Sequence, residues 1–339
     1  MPFGQIIGHR RLVRLLARSI HRDSLPPSLI FAGPDGVGKR LVATAVAQAL
    51  NCSNPIHSDK IGLEVDACGV CAACVRIARG THADVLVVEP GDSGSIKIDQ
   101  VREIVESAAY RPFEGRRRVV LVDGADALVA GAQNALLKTL EEPPPSSVFI
   151  LITPRPDVLL PTVRSRCPRL SFRPLAAKDI VLALVTRGFK EADARAVAAT
   201  ANGSLGSALL ASAGDLAAAR EIAQQALGHA AASDDPRTRL AGAKDLLAKT
   251  GAGGAGDREQ LATHLRAMAS LVRDAELLAT RADTSGLANP DVRPAIERLA
   301  RTYRGERGVR AFTAVDQALL ALERNAGVKI VADWVMLQL

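Results

Sequence analysis

Leu29-Ile30-Phe31-Ala32-Gly33-Pro34-Asp35-Gly36-Val37-Gly38-Lys39-Arg40 joins a short apolar run to a glycine-rich turn and then to an Ala/Leu/Val-rich segment, residues 41–50. The run has the length of a buried strand and the segment reads as a helix, so the stretch is strand, loop, helix. Gly33 and Gly38, with four residues between them and Lys39 next, have the spacing of a phosphate-binding loop, with Gly36 inside it. Glycines let backbone N–H groups approach phosphate oxygens closely, and the following helix N-terminus adds a favourable dipole. The next position decides the chemistry. A working loop has Ser or Thr there, whose hydroxyl ligates Mg²⁺. Here it is Arg40, which carries no acceptor atom. The expectation is a degenerate nucleotide loop that attracts phosphate without holding Mg²⁺.

Outward from this loop the pattern alternates. Val85–Val88 is a second strand, Ile98–Ala109 a helix with Asp99 in its first turn, and residues 119–122 a third strand ending at Asp123. Residues 132–140 form a helix stopped by Pro143-Pro144-Pro145; residues 148–153 and 170–172 are further strands. Such alternation predicts an α/β fold, a Rossmann-like module with a parallel sheet covered on both faces. After Pro174 the strand-like runs stop. Residues 176–186, 191–200 and 204–212 predict a small three-helix unit. The polar stretch 233–236 marks a boundary, 251–256 a flexible loop, and the remainder is helical. Three domains are expected: 1–172, a lid at 173–235, and an all-α domain at 236–339.

The totals narrow the function. The chain has 339 residues, a formal net charge of +7 and 48% hydrophobic residues. The excess of cations suits a phosphate-bearing partner, yet aromatic side chains are only 3%, which leaves little for stacking on bases. Nothing approaches a membrane-spanning run, and the first residues lack a signal-peptide layout. A cytoplasmic location without membrane association is expected.

Four of the five cysteines crowd together as Cys52, Cys68, Cys71 and Cys74. Four thiolates suit tetrahedral Zn²⁺, and a closed set of this kind is structural. The bacterial ferredoxin pattern fails because Val75-Arg76-Ile77-Ala78 follows the last of them. Core thiols or disulfides are the alternatives. His57 and His82 flank a set that leaves them no vacancy, and Cys167 stands apart as a buried thiol.

Beyond these motifs, Ile7-Gly8, Val122-Asp123, Asn134-Ala135-Leu136-Leu137-Lys138-Thr139-Leu140-Glu141-Glu142-Pro143-Pro144 and Ser165-Arg166-Cys167 resemble the clamp-loader branch of the AAA+ family. The resemblance is dense from residue 3 to about 210. It implies an AAA+ module with a zinc insertion after the phosphate-loop helix, a small helical lid and a helical collar domain. Asp123 then stands where the family has a metal-binding Asp, and Gly124 where it usually has the water-activating Glu. Gly203-Ser204-Leu205-Gly206 lacks the nucleotide-sensing Arg, and the chain stops at 339 where motor subunits usually continue. Asp126 lies two positions too far to act as the base, and Thr153 occupies the sensor-1 place as a vestige. Arg166 matches the family's arginine finger, which acts on a neighbour's ATP. These departures imply the non-hydrolysing type of subunit, without ATPase of its own. It would sit in a pentameric ring within the DNA polymerase III holoenzyme. Its partners would be the motor (gamma/tau) and delta subunits, the sliding clamp and primed DNA. The alternatives are an active clamp-loader ATPase and a zinc-dependent nucleic-acid-binding module.

Three further stretches carry bland expectations. Arg116-Arg117-Arg118 reads as a solvated charge run, with a DNA-backbone contact as the alternative. Lys138 faces DNA or an interface. Residues 314–322 and 330–339, with Trp334, read as collar helices or ordinary core.

Overall fold

The computed structural model describes residues 1–339 except 59–61, 92, 202, 211–212, 233–234, 248–254, 281–286 and 325. The expected boundary at Ser233-Asp234 and most of the glycine-rich loop at 251–256 lie outside the described residues. In chain order the elements are α1 (Arg10–His21), β1 (Ser28–Ala32), α2 (Lys39–Asn51), β2 (Ile56–Ser58), β3 (Leu63–Asp66), α3 (Ala72–Ala78), β4 (Val85–Val88), α4 (Ile98–Ala109), β5 (Arg118–Asp123), α5 (Ala130–Glu141), β6 (Ser147–Thr153), α6 (Pro161–Arg164), β7 (Arg169–Ser171), α7 (Ala177–Val185), α8 (Glu191–Thr200), α9 (Leu205–Leu210), α10 (Ala213–Ala232), α11 (Pro236–Leu246), α12 (Ala255–Ala279), α13 (Arg293–Leu299), α14 (Glu306–Glu323) and α15 (Val328–Gln338). They form two compact units, Met1–Asp179 and Ile180–Leu339.

The first unit is built on a five-stranded sheet in the order β4-β5-β6-β1-β7. Every pairing in it is parallel. Alternation along the strands explains the two cores. Leu29 and Phe31, Val119 and Leu121, Val148, Ile150 and Ile152 face one side with Val42 and Val46 of α2. Ile30 and Ala32, Val120 and Val122, Phe149 and Leu151 face the other with Val101 of α4 and Leu136 of α5. Both faces are apolar, which is why these strands read as continuous runs. The phosphate loop follows β1, Asp123 ends β5 and Thr153 ends β6, so the candidate site collects at the carboxyl ends of the strands, where open α/β sheets bind ligands.

Between α2 and β4 the chain inserts the antiparallel pair β2-β3 and the short helix α3. Asp66, at the end of β3, accepts from the backbone N–H groups of Phe3 (2.7 Å), Gly4 (2.8 Å) and Ala67 (2.7 Å). The insertion thus holds the first residues of the chain.

The arginine run leading into β5 is solvated at Arg116 but departs from that expectation toward Arg118. Arg118 is buried and pairs with the fully buried Asp84 at 2.9 Å. Arg117 pairs with Asp23 at 2.8 Å, and Arg116 donates to the Cys52 carbonyl. Asp84 also accepts from the N–H groups of Phe113 (2.7 Å), Glu114 (2.9 Å) and Gly115 (2.7 Å). These arginines tie the loop into β5 to the body of the unit. Burial alone would raise the Asp84 pKa, but the three N–H donors and Arg118 bring it down to about 2. A carboxyl depressed in the folded state stabilises above its unfolded pKa near 3.9, and the gain is lost as pH falls toward 2. Asp84→Ala should therefore destabilise the unit by roughly 3–5 kcal/mol, because a buried guanidinium loses its partner. In the parent, the Asp84 contribution of about 2 kcal/mol should fade between about pH 4 and pH 2, measured by urea unfolding at stepped pH.

In the second unit, α10 to α15 share one core that starts at Ala219 and runs to Leu339, with Leu227, Leu265, Met268, Tyr303 and Val335 at its centre. The Tyr303 hydroxyl donates to the Leu227 carbonyl at 3.0 Å. Helix α10, expected within the lid, packs in this core with the later helices.

Candidate functional site

The phosphate loop is closed on itself. Lys39, at the start of α2 and 5% exposed, donates from Nζ to the carbonyls of Gly33 (2.5 Å) and Pro34 (2.7 Å) and pairs with Asp35 at 3.3 Å. Gly33 is irreplaceable on steric grounds, since a Cβ there would lie 2.2 Å from the Phe172 carbonyl oxygen.

Arg40 follows Lys39 in the first turn of α2. Its guanidinium pairs with Glu89 and with Asp123 Oδ2, the latter at 3.1 Å. A cation carried by the chain itself thus sits on the carboxylate at the end of β5. Burial raises the pKa of Asp123, Glu89 adds to the rise, and Arg40 opposes it. Sequence reading missed Glu89, which lies just beyond the apolar residues of β4 and has no motif of its own.

Gly124 adopts φ 76° and ψ 42°, in the left-handed region. A Cβ there would meet Pro90 Cγ at 3.1 Å. The backbone is therefore shaped for glycine, and a glutamate at this position would be strained as well as absent. Asp126, the nearby carboxylate, is committed elsewhere. It accepts from Thr153 Oγ1 (3.0 Å) and pairs with Arg155 through Nε (3.1 Å) and a terminal nitrogen (2.7 Å). Thr153 also accepts from the Arg155 backbone N–H at 3.0 Å.

Arg166 follows α6, on the surface of the first unit. It pairs with Glu141, the last residue of α5, and donates to the Thr162 carbonyl at 2.9 Å. Its side chain is 33% exposed and that of Glu141 48%. Among the described residues no hydrogen bond or ion pair joins Arg166 to the loop at 33–40. The adjoining Cys167 is buried, and burial pushes its thiol up to about 12. Lys138 is exposed on α5 and lies on one helix face with Glu141.

The four clustered cysteines do converge. Their Sγ atoms all lie within 4.8 Å of one another. Zn–S bonds of about 2.3 Å in a tetrahedron require sulfurs about 3.8 Å apart, so the set fits Zn²⁺ with small closure. The backbone supports thiolates: Cys68 N–H donates to Cys52 Sγ (3.2 Å), Cys71 N–H to Cys68 Sγ (3.3 Å) and Cys74 N–H to Cys71 Sγ (3.5 Å). Burial raises the Cys71 pKa, but N–H donors from Cys74 and Ser53 bring it down to about 6. His57 instead meets the Glu64 carbonyl (3.1 Å), and His82 accepts from the Asp84 N–H (3.1 Å).

Three kinds of similarity to known proteins bear on the chain. A family profile described as DNA polymerase III, delta subunit, matches residues 8–176. The chain is 42% identical over 139 residues to the delta′ subunit of DNA polymerase III of Pseudomonas aeruginosa, a stretch covering 41% of this chain and 40% of that protein. It is 33% identical over 178 residues to the gamma/tau subunit of Mycobacterium tuberculosis, covering 52% of this chain and 30% of that one. The chain thus spans less than half the length of these relatives. Among solved structures, a DNA polymerase III gamma subunit-related protein of Thermotoga maritima covers 95% of this chain and 96% of its own, at 20% identity and a TM-score of 0.42.

Proposed function

We propose that the chain, whose residues 8–176 match the DNA polymerase III delta subunit profile, is a non-hydrolysing delta′-type clamp-loader subunit, lending Arg166 to a neighbouring ATPase subunit. The observation that carries the reading is the Arg40–Asp123 pair at 3.1 Å. In a hydrolysing loop a metal ion bridges phosphate oxygens to the protein and neutralises the charge that develops there. Here a fixed guanidinium is paired with the carboxylate instead, and Gly124 supplies neither a base nor a backbone suited to one. The subunit keeps a phosphate loop as architecture and gives up the chemistry.

The remaining features support a part in an assembly. Ile330, Trp334 and Leu337 stand at i, i+4 and i+7 on α15 and are 73%, 37% and 40% exposed. That apolar stripe suits packing of a collar helix against sister subunits. The four cysteines would hold a structural Zn²⁺. The partners proposed are the motor and delta subunits, the sliding clamp and primed DNA.

The purified chain alone should show no Mg²⁺-dependent ATP hydrolysis above a Lys39→Ala control, measured by phosphate release. Turnover by the lone chain, abolished by that substitution, would overturn the reading in favour of a gamma/tau-like motor.

A further inference from the structure

The first 22 residues carry five arginines and no carboxylate. Burial of Val13, Leu16 and Ala17 in the core fixes which face of α1 turns outward. On that outer face Arg10, Arg14 and Arg18 repeat every four residues, about 6 Å apart along the axis, with Arg11 beside them. The edge strand β7 brings Arg169, and the segment after it Arg173, to the same place. All six arginines line one open cavity of about 1130 Å³ in the first unit, together with a single acid, Asp179. Arg18 is partly neutralised by Glu64 at 2.8 Å. Among the described residues, the side chains of Arg10, Arg11, Arg14, Arg169 and Arg173 have no ion-pair or hydrogen-bond partner.

Five like charges on one wall repel each other, and each guanidinium offers a fork of donors. One phosphate would satisfy two of them. The cavity is larger than a typical small-molecule pocket of about 300–1,000 Å³. A ligand that answers all of them carries several anionic groups in a row. The lining holds no Phe, Tyr or Trp, so bases have no ring to stack on. The repeat of one guanidinium per helical turn is comparable with the step between phosphates in an extended strand.

We propose that this α1–β7 cavity is a nucleic-acid site that grips the phosphodiester backbone without reading sequence. It stands apart from the Arg40 and Arg166 readings, because none of its residues belongs to the phosphate loop, the finger or the cysteine cluster. Binding of this type releases counterions, so affinity falls with salt.

The test is fluorescence anisotropy of the intact chain with a labelled mixed-sequence oligonucleotide, single-stranded or duplex, across a salt series. The paired variants Arg10→Gln/Arg14→Gln and Arg169→Gln/Arg173→Gln should each weaken binding about ten-fold or more at low salt. Each should also lower the slope of log K against log salt by about one for every phosphate that is no longer gripped. Arg195→Gln, in the second unit, should bind as the parent does. All the substituted side chains are exposed, and thermal melts matching the parent would confirm that the variants fold. Single-strand and duplex arms show which backbone form is held more tightly. Absence of low-salt binding by the parent would overturn the proposal, as would unchanged affinity in both paired variants. Equal competition by polyglutamate at matched charge would also overturn it and point to an acidic peptide instead.

Discussion

Replacing Arg166 by Ala should cut ATP turnover of the reconstituted complex at the site it serves by about 10³-fold or more, with KM for ATP little changed. An arginine offered in trans meets charge that builds only as the phosphoryl group transfers, and is worth about 10³–10⁵ in rate. A group acting only in the transition state is read in kcat rather than in KM. The pairing of Arg166 with Glu141 does not prevent this role. Both side chains reach solvent, and an exposed pair of this kind is worth about 0–1 kcal/mol. The finger effect corresponds to about 4–7 kcal/mol. The larger quantity decides, so a neighbour's phosphate can take the guanidinium from Glu141 at small cost. In the proposed ring, which would hold other ATP sites, single-turnover measurement at the site next to this subunit is the clearer readout. Turnover at that site equal to the parent would leave Arg166 as a surface ion pair and nothing more.

Removal of metal should have the second large effect. The purified chain should carry one Zn²⁺, released on thiol modification and counted with a chromogenic indicator. Stripping it, or making Cys71→Ser, should lower stability by at least about 4 kcal/mol, the linkage expected for a ligand at 1,000 times its Kd. That is a fall of roughly 10 °C in the melting temperature for a unit of this size. The damage should spread from the cluster along two hydrogen bonds. Gln48 on α2 donates to the Cys74 carbonyl at 2.7 Å, and Asp66 on β3 accepts from Phe3 at 2.7 Å. Protease sensitivity of the first residues should therefore rise together with that of residues 52–78. A metal-free chain whose melting is unmoved by Cys71→Ser would make the four thiols ordinary core groups.

The sheet was legible because both its faces are covered. Residues 29–32, 85–88, 119–122 and 148–152 are uninterrupted apolar runs, and each lies within a strand of the parallel sheet. The β2–β3 pair escaped, since Ile56-His57-Ser58 has no apolar run and depends on tertiary packing around the cysteines. Helix α1 was passed over. It begins after two residues with positive φ, Gly8 and His9, and lacks the usual capping residue. For the candidate site, residue types and spacing gave the phosphate loop, Asp123 and the cysteines. Spacing could not reveal partners distant in sequence. Glu89 on Arg40, Glu141 on Arg166 and Asp84 on Arg118 emerge only when strands and helices are assembled. The Arg116-Arg117-Arg118 run misled for the same reason: a string of charges looks solvated until the carboxylates and carbonyls that receive it are brought alongside.

The left-handed backbone at Gly124 bears on descent as well as on chemistry. Serine at position 40 would leave Asp123 and Glu89 facing each other without a cation between them. Glutamate at position 124 would meet Pro90 from an unfavourable φ of 76°. Each single step back toward hydrolysis costs the fold something before any turnover returns. On the proposed reading, reversion at either position alone would cost the first unit stability without restoring turnover.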